Sequence, residues 1–347
     1  MQINILNEQE AAVLQELIAA SSCIVITCHK SPDGDALGSS LAWAEYLKGM
    51  GKEPSVIIPD AYPDFLRWMP NTEKVVRYDK HRELCDVMLK AADLIFCMDF
   101  NESGRLDEMQ AAFDAATQAK RVMIDHHLSP QMETALTVSM PELSSTSELA
   151  FRIIWQLGGF DSMNKACAAC LYCGMMTDTG GFTYNSNRPE IFMIIGELLT
   201  KHIDKDKIYR NVYNNFSSWA VRFRGYLMSQ KLNVFDNLHA SYFTISRYDM
   251  KRFRFIKGDA EGVVNEPLRI KGMKLSISLR EDDRRDNLIW VSLRSVDQFP
   301  CNEMAERFFN GGGHLNASGG RLTCTLQEAE QIVRDAIKAY EEILKKS

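Results

Sequence analysis

No uninterrupted apolar run in the 347 residues approaches the roughly 20 needed to cross a bilayer. A protein that works without a membrane is therefore expected. Low-complexity tracts and fixed-period repeats are also missing, which argues against tails and solenoids. The N-terminal stretch MQINILNEQEAAVLQELIAA is broken by Glu8, Glu10 and Glu16, so it lacks the continuous apolar segment of a signal peptide. It reads as a short lead-in followed by an amphipathic helix, and a cytoplasmic location is the expectation. Cys167, Cys170 and Cys173 have a spacing superficially like part of an iron–sulfur run, but the fourth cysteine and its following proline are lacking. The intervening Ala168, Ala169, Leu171 and Tyr172 point instead to a packed helix of reduced, buried thiols, and the other six cysteines fit the same reading.

What is present is ordinary globular composition, 46% hydrophobic and 25% charged, in a chain long enough for two domains with a core each. The net charge of −6 conceals an asymmetry. Residues 1–200 hold 15 Lys/Arg against 27 Asp/Glu, and the remainder hold 25 against 19. An acidic half suits cations and a basic half suits an anionic substrate, although solvated surface charge would give the same split.

The first two-thirds alternates strands with helices. Short apolar runs at 23–28, 54–58, 93–98 and 121–124 read as buried strands, with helices predicted over 39–48, 145–157 and 165–176. That alternation predicts an α/β fold with a mainly parallel sheet. Residues 189–236 read as a helical, increasingly basic connector. A smaller αβ region follows, with strands at 240–245, 275–280 and 288–294, turns at Gly272 and 282–286, and an amphipathic closing helix over 326–345. Boundaries of 1–190, 191–236 and 237–347 follow from this reading.

Chemistry concentrates after the strands. His29 ends the first strand and is followed by Asp33 and Asp35 in HKSPDGDALGS. Asp99 follows LIFCM, and Asp125, His126 and His127 follow RVMI; Asp178 lies in GMMTDTGGF after the cysteine-rich helix. Ligands of open α/β sheets bind beyond the carboxyl ends of strands, so these four segments are predicted to converge. Alone, each acid reads as a cap or turn former. Together the carboxylates would repel one another into protonation unless divalent cations lay between them, and oxygen plus imidazole ligands suit manganese. Two cations sharing a bridging carboxylate would activate a water and clamp a phosphoryl group.

HKSPDGDALGS, MDF, DHH and MTDTGGF, in that order, resemble the four motifs of the DHH phosphoesterase superfamily, and FFNGGGHLNASGG over 308–320 resembles the signature of its DHH-associated domain. The resemblance spans nearly the whole chain. It implies a catalytic domain joined to a substrate-binding domain with the active site in the cleft between them, and a homodimer. Two Mn²⁺ are implied, with Mg²⁺ or Co²⁺ as substitutes: His29, Asp33 and Asp99 for one ion, and Asp35, Asp99, His126 and Asp178 for the other. His127 would face the scissile phosphate, Asp125 would orient a histidine ring, and a metal-bridging hydroxide would attack in line.

Arg294 in VSLRS matches a substrate-contacting arginine of the family. Gly311, Gly312 and Gly313 would permit close approach, and a helix expected after them would offer amides to a phosphate alongside His314. Length and the GGGH ending are most similar to the branch that degrades short RNA oligonucleotides and removes the 3′-phosphate of pAp. Cyclic- or linear-dinucleotide hydrolysis and exopolyphosphatase activity remain open. Pyrophosphatase is disfavoured by the lack of a Ser-Arg-Lys clamp, and a RecJ-type exonuclease by length. A non-catalytic nucleotide or RNA sensor would be expected to have lost a ligand position, and none is missing. Lys251–Phe255 alternates basic and aromatic residues, as a nucleic-acid contact, an edge strand or a packed connector would. Glu261–Asn265 resembles a recurrent family segment and is read as structural.

Overall fold

The computed structural model describes residues 3–256 and 258–346. The chain divides into two compact units, Met1–Asn215 and Phe216–Ser347. The first unit is built on β1 (Ile24–Cys28), β2 (Ser55–Ile58), β3 (Val76–Arg77), β4 (Leu94–Met98), β5 (Lys120–Asp125) and β6 (Leu136–Ser139), in the order β3-β2-β1-β4-β5-β6. All five pairings are parallel. Every residue of β1 and β4 is buried, because helices cover both faces, and this is why the strands read as unbroken apolar runs. Ile24, Ile26 and Phe96 pack with Trp43 and Leu149 on one face. Val25, Ile95 and Cys97 pack with Leu89, Phe100 and Phe113 on the other.

Parallel neighbours need crossovers, and here the strand order reverses between β1 and β4. At such a switch point the loops beyond the two strands diverge and leave a crevice. His29 and Asp99 follow these two strands directly. The loop after β1 is shorter than the sequence suggests, since the next helix runs Gly34–Gly49 rather than starting at Ser39. Asp33 caps it, accepting the amides of Asp35 and Ala36 at 3.0 Å each. Asp35 therefore sits in the first helical turn.

The helix Lys165–Asp178 packs tightly on Gly34–Gly49. A Cβ at Gly38 would stand 2.7 Å from the Cys170 carbonyl oxygen and 3.2 Å from Gly174 Cα, so only glycine allows this approach. Cys167, Cys170 and Cys173 are buried free thiols in this packing, as predicted.

The second unit has β7 (Asn233–Phe235), β8 (Ala240–Ile245), β9 (Leu275–Glu281), β10 (Leu288–Ser295), β11 (Gly312–His314) and β12 (Ala317–Thr323), ordered β11-β12-β10-β9-β8-β7. Only β8 and β9 run parallel, so the sheet is mixed. Leu275, Ile277, Leu279, Ile289, Val291 and Leu293 pack one face against the helices Cys301–Phe309 and Leu326–Ala339. The closing helix breaks at Tyr340 and resumes as Glu341–Lys345.

One expectation needs correction here. No helix follows the glycines: helix Cys301–Phe309 precedes them, and Gly312–His314 is a strand paired to β12. The glycine-rich ASGGRLT has little intrinsic strand preference, which hid the hairpin. Of the readings open for Lys251–Phe255, the packed connector is the one found. Lys251 and Arg252 close the helix Arg247–Arg252, Phe253 is buried beside Phe223 and Tyr226, and Arg254 lies over Trp219 at 4.7 Å.

Candidate active site

The carboxyl edge of the first sheet gathers every acid and histidine singled out in residues 29–178. Asp99 lies at the centre. Its backbone is in the left-handed region (φ 65°), an uncommon conformation for a non-glycine residue. Its Oδ2 is 3.4 Å from His29 Nε2, and its Oδ1 is 3.6 Å from both His126 Nε2 and His127 Nδ1. His29 Nε2 is also 4.0 Å from Asp33 Oδ2. His126 Nε2 faces Asp178 Oδ2 at 3.3 Å and Asp35 Oδ2 at 3.9 Å. Asp178 is the last residue of its helix, so it reaches the cluster from a helix C-terminus.

The hydrogen bonds settle which ring nitrogens look inward. His29 Nδ1 is 2.7 Å from the Lys30 carbonyl oxygen, and His126 Nδ1 is 3.3 Å from that of Leu143. A carbonyl only accepts, so each Nδ1 carries the proton, and the Nε2 lone pairs of the neutral rings face carboxylates. His127 differs. Its Nδ1 is 2.7 Å from Asp125 Oδ1, and its backbone amide donates to Asp125 Oδ2 at 3.1 Å. Asp125 thus orients His127 in particular.

The electrostatics of the bare cluster are strained. Burial pushes the Asp35 carboxyl well above its ordinary range, and the charges of Asp99 and Asp178 add to this. Burial acts the same way on Asp99 but is outweighed by the hydrogen bond that the His29 ring donates in its protonated form and by the charges of the three imidazoles, which hold it below the usual range. For His126 burial disfavours the charged ring, yet Asp178, Asp99 and Asp35 lift it to about 9. His29 is also raised, with Asp99 overcoming burial. These carboxylates thus favour a proton on Nε2 of His29 and His126, and a cation bound there would take its place. The donor set fits divalent cations: the ligand atoms of His29, Asp33 and Asp99 lie within 4.8 Å of one another, as do those of Asp35, Asp99 and His126, with Asp99 common to both groups.

Sequence reasoning missed the supports. Ser145 caps the helix Thr146–Gln156, whose first amides, Thr146 and Ser147, donate to Asp35 at 2.7 and 2.8 Å. The Thr146 hydroxyl donates to Asp99 Oδ1 at 2.8 Å. The SSTSE run predicts a helix start, and nothing in it signals which distant carboxylates those donors meet. One turn on, the fully buried Glu148 accepts from the Ser144 amide and hydroxyl and pairs with Arg152 and Arg188, each at 2.7 Å.

In the second unit, Arg294 lies on β10 and pairs across to Ala317, which pairs in turn with His314. Paired residues point to one side of a sheet, so Arg294 and His314 share a face.

A parallel sheet with an acid–imidazole cluster at its switch point, followed by a mixed-sheet unit, places the chain in a two-unit α/β class. The fold is shared with RecJ from Thermus thermophilus, solved with Mn²⁺, at a TM-score of 0.55 and 14% identity over 96% of this chain and 54% of that one. Residues 23–175 match the N-terminal domain of the DHH family, and residues 237–346 match the DHHA1 domain. A solved exopolyphosphatase-related protein from Bacteroides fragilis is 46% identical over 99% of both chains, with a TM-score of 0.93. The bifunctional oligoribonuclease and PAP phosphatase NrnA of Thermus thermophilus is 26% identical over 95% of this chain and 94% of that one. The chain belongs to the DHH family.

Proposed function

We propose that this protein is a phosphoesterase that hydrolyses short oligoribonucleotides to mononucleotides and removes the 3′-phosphate of pAp. The observation carrying the reading is the pair of ligand groups sharing Asp99 at the sheet's switch point. The NrnA relative, matched along nearly its whole length, supports the substrate class.

His29, Asp33 and Asp99 would hold one divalent cation, and Asp35, Asp99, His126 and Asp178 a second, with Mn²⁺ favoured by the mixed oxygen and imidazole donors. Such ions, when bound, stabilise the negative charge that develops on a phosphoryl group in transfer. The chain's own groups do the rest. The Nδ1–H groups of His29 and His126 donate to backbone carbonyls, so their Nε2 lone pairs are fixed inward before any ligand arrives. Amides at the start of Thr146–Gln156 hold Asp35, and the Thr146 hydroxyl holds Asp99. Asp125 aligns the His127 ring as the phosphate-facing hydrogen-bonding group or acid. Arg294 and His314, on one face of the second unit's sheet, are the groups suited to pair with a nucleotide's phosphate.

Free thiols at all nine cysteines fit a reducing, cytoplasmic setting. Among the described residues no helix is long and apolar enough to cross a membrane. The deciding experiment is a Mn²⁺-supplemented panel of pAp, di- to pentaribonucleotides, cyclic dinucleotides, pyrophosphate and polyphosphate. Phosphate from pAp and mononucleotides from short RNA are expected to dominate. Turnover of polyphosphate alone would overturn the substrate assignment in favour of the activity named for the Bacteroides fragilis relative.

The glycines of the hairpin separate folding from recognition. A Cβ at Gly311 would run into the Gly319 carbonyl oxygen, and one at Gly313 would meet the Ala317 oxygen at 2.7 Å with φ at 139°. At Gly312 the nearest atom is Glu306 Oε1 at 4.0 Å, so packing does not demand glycine there. Gly311→Ala is expected to cost about 2–3 kcal/mol of stability by overpacking. Gly312→Ala should melt like the parent while raising KM for pAp. Thermal melts beside steady-state kinetics check both.

A further inference from the structure

The register of the second sheet fixes what its non-core face presents. Residues paired across strands point the same way, and the row through His314 and Arg294 continues to Ser276 on β9. Two residues along lies a row of small side chains, Gly312, Gly319, Ser292 and Ser278. Two further on, Arg321, Trp290 and Arg280 stand side by side on β12, β10 and β9. Antiparallel strands rise about 3.4 Å per residue, so the third row lies about 14 Å from the first, across a low trough.

The third row has the chemistry of a nucleotide platform. Trp290 is half-buried, and its Nε1 donates to Asp282 Oδ2 at 2.8 Å, which fixes the indole plane. Asp282 is itself neutralised by Arg285 at 3.1 Å. Arg321 is exposed. Arg280 is half-buried, and among the described residues it has no hydrogen bond and no carboxylate within 4.0 Å; its closest ring partner is Phe255 at 5.9 Å. Burial holds its guanidinium below the ordinary range, and the charges of Asp283, Asp282 and Glu261 offset this only in part. On this face Val263 and Val264 pack on Phe243 and Ile245 of β8, and Ile245 pairs with Arg280, so Arg280 lies beside this cover while Trp290 and Arg321 lie on strands further from β8.

We propose that Arg280, Trp290 and Arg321 form a second nucleotide subsite, in which Trp290 stacks a base and the two arginines pair its phosphate. The proposal rests on the oligoribonucleotide reading above, and it separates the two substrate types by reach. A bisphosphorylated mononucleotide engages only the row of Arg294 and His314, whereas an oligonucleotide extends to the third row. Stacking on an aromatic ring with flanking cations tolerates any base, so the subsite selects for length rather than sequence.

The test compares the wild type with Trp290→Ala, Trp290→Phe, Arg321→Ala and Arg280→Gln. KM and kcat are read on pAp and on tri- to pentaribonucleotides, and thermal melts identify any variant that fails to fold. Binding of a phosphorothioate trinucleotide that resists hydrolysis is measured in parallel. Trp290→Ala and Arg321→Ala are expected to raise KM for the longer RNAs about tenfold, with kcat unchanged and pAp kinetics within about twofold. Trp290→Phe should recover most of the loss. Equal effects on pAp and RNA, or no effect on either, would overturn the subsite, as would trinucleotide binding indifferent to all four substitutions. Trp290-dependent binding of this analogue by a wild type that hydrolyses neither pAp nor the unmodified RNAs would uphold the subsite and sink the proposed activity instead.

Discussion

Asp99→Asn is expected to reduce turnover of pAp by about a thousandfold or more while leaving the fold intact. The substitution preserves shape and changes charge at the one carboxylate common to both ligand groups. Asparagine is also among the residues best suited to the left-handed backbone found here, so φ of 65° offers no reason for unfolding. Its amide oxygen can still accept from Thr146, but its amide nitrogen is a donor only and cannot coordinate a cation. Phosphate release should therefore collapse together with the stoichiometry or affinity of Mn²⁺ measured by calorimetry, with circular dichroism unchanged. Activity above about a tenth of wild type, a loss of less than about 1.4 kcal/mol in transition-state stabilisation, would rule out Asp99 as the shared ligand.

Legibility of the molecule from sequence follows the physics of each element. β1, β2, β4 and β5 are readable because strands buried on both faces must be continuous apolar runs. β3 has two residues and β6 four, too few for any period to show. Asp33, Asp35, Asp99 and the histidines stand out because polar residues closing such strands have few structural reasons to cluster. Thr146 and Glu148 do not stand out. The role of Thr146 depends on a helix N-terminus meeting carboxylates that follow β1 and β4, and that of Glu148 on burial beside Arg188; such contacts leave no periodic trace in a single chain. The GGGH segment is conspicuous in the sequence, yet its backbone is not legible there. Three glycines are compatible with a helix entry and a tight hairpin alike, and the choice is made by the ladder to β12 and the close packing of Gly311 on Gly319.

Glu148→Ala is expected to produce the largest loss of stability, about 3–5 kcal/mol, through a different mechanism from Asp99→Asn. Glu148 is wholly buried, and removing it takes the carboxylate partner from Arg152, which is only 3% exposed, and the acceptor from the Ser144 donors. Burial works against the charged carboxyl, but the Ser144 hydrogen bonds and then Arg188 and Arg152 hold its pKa below the ordinary value. A group depressed on folding contributes stability that is fully present above its unfolded pKa and is lost as pH falls through the folded one. The gap between wild type and variant should thus be widest near neutral pH and close progressively below about pH 4. Urea midpoints across that range, with hydrogen exchange read on peptides covering Thr146–Gln156, would measure it. Because the same helix start holds Asp35 and Asp99, the variant should lose activity as well, but together with its stability rather than alone. Replacing both charges, Glu148→Leu with Arg152→Leu, removes the guanidinium along with its carboxylate and should return a substantial part of the lost stability, since a buried pair is often matched by apolar residues of similar volume. A double variant no more stable than Glu148→Ala would show that Ser144 and Arg188, rather than Arg152, are the partners whose loss unfolds the helix.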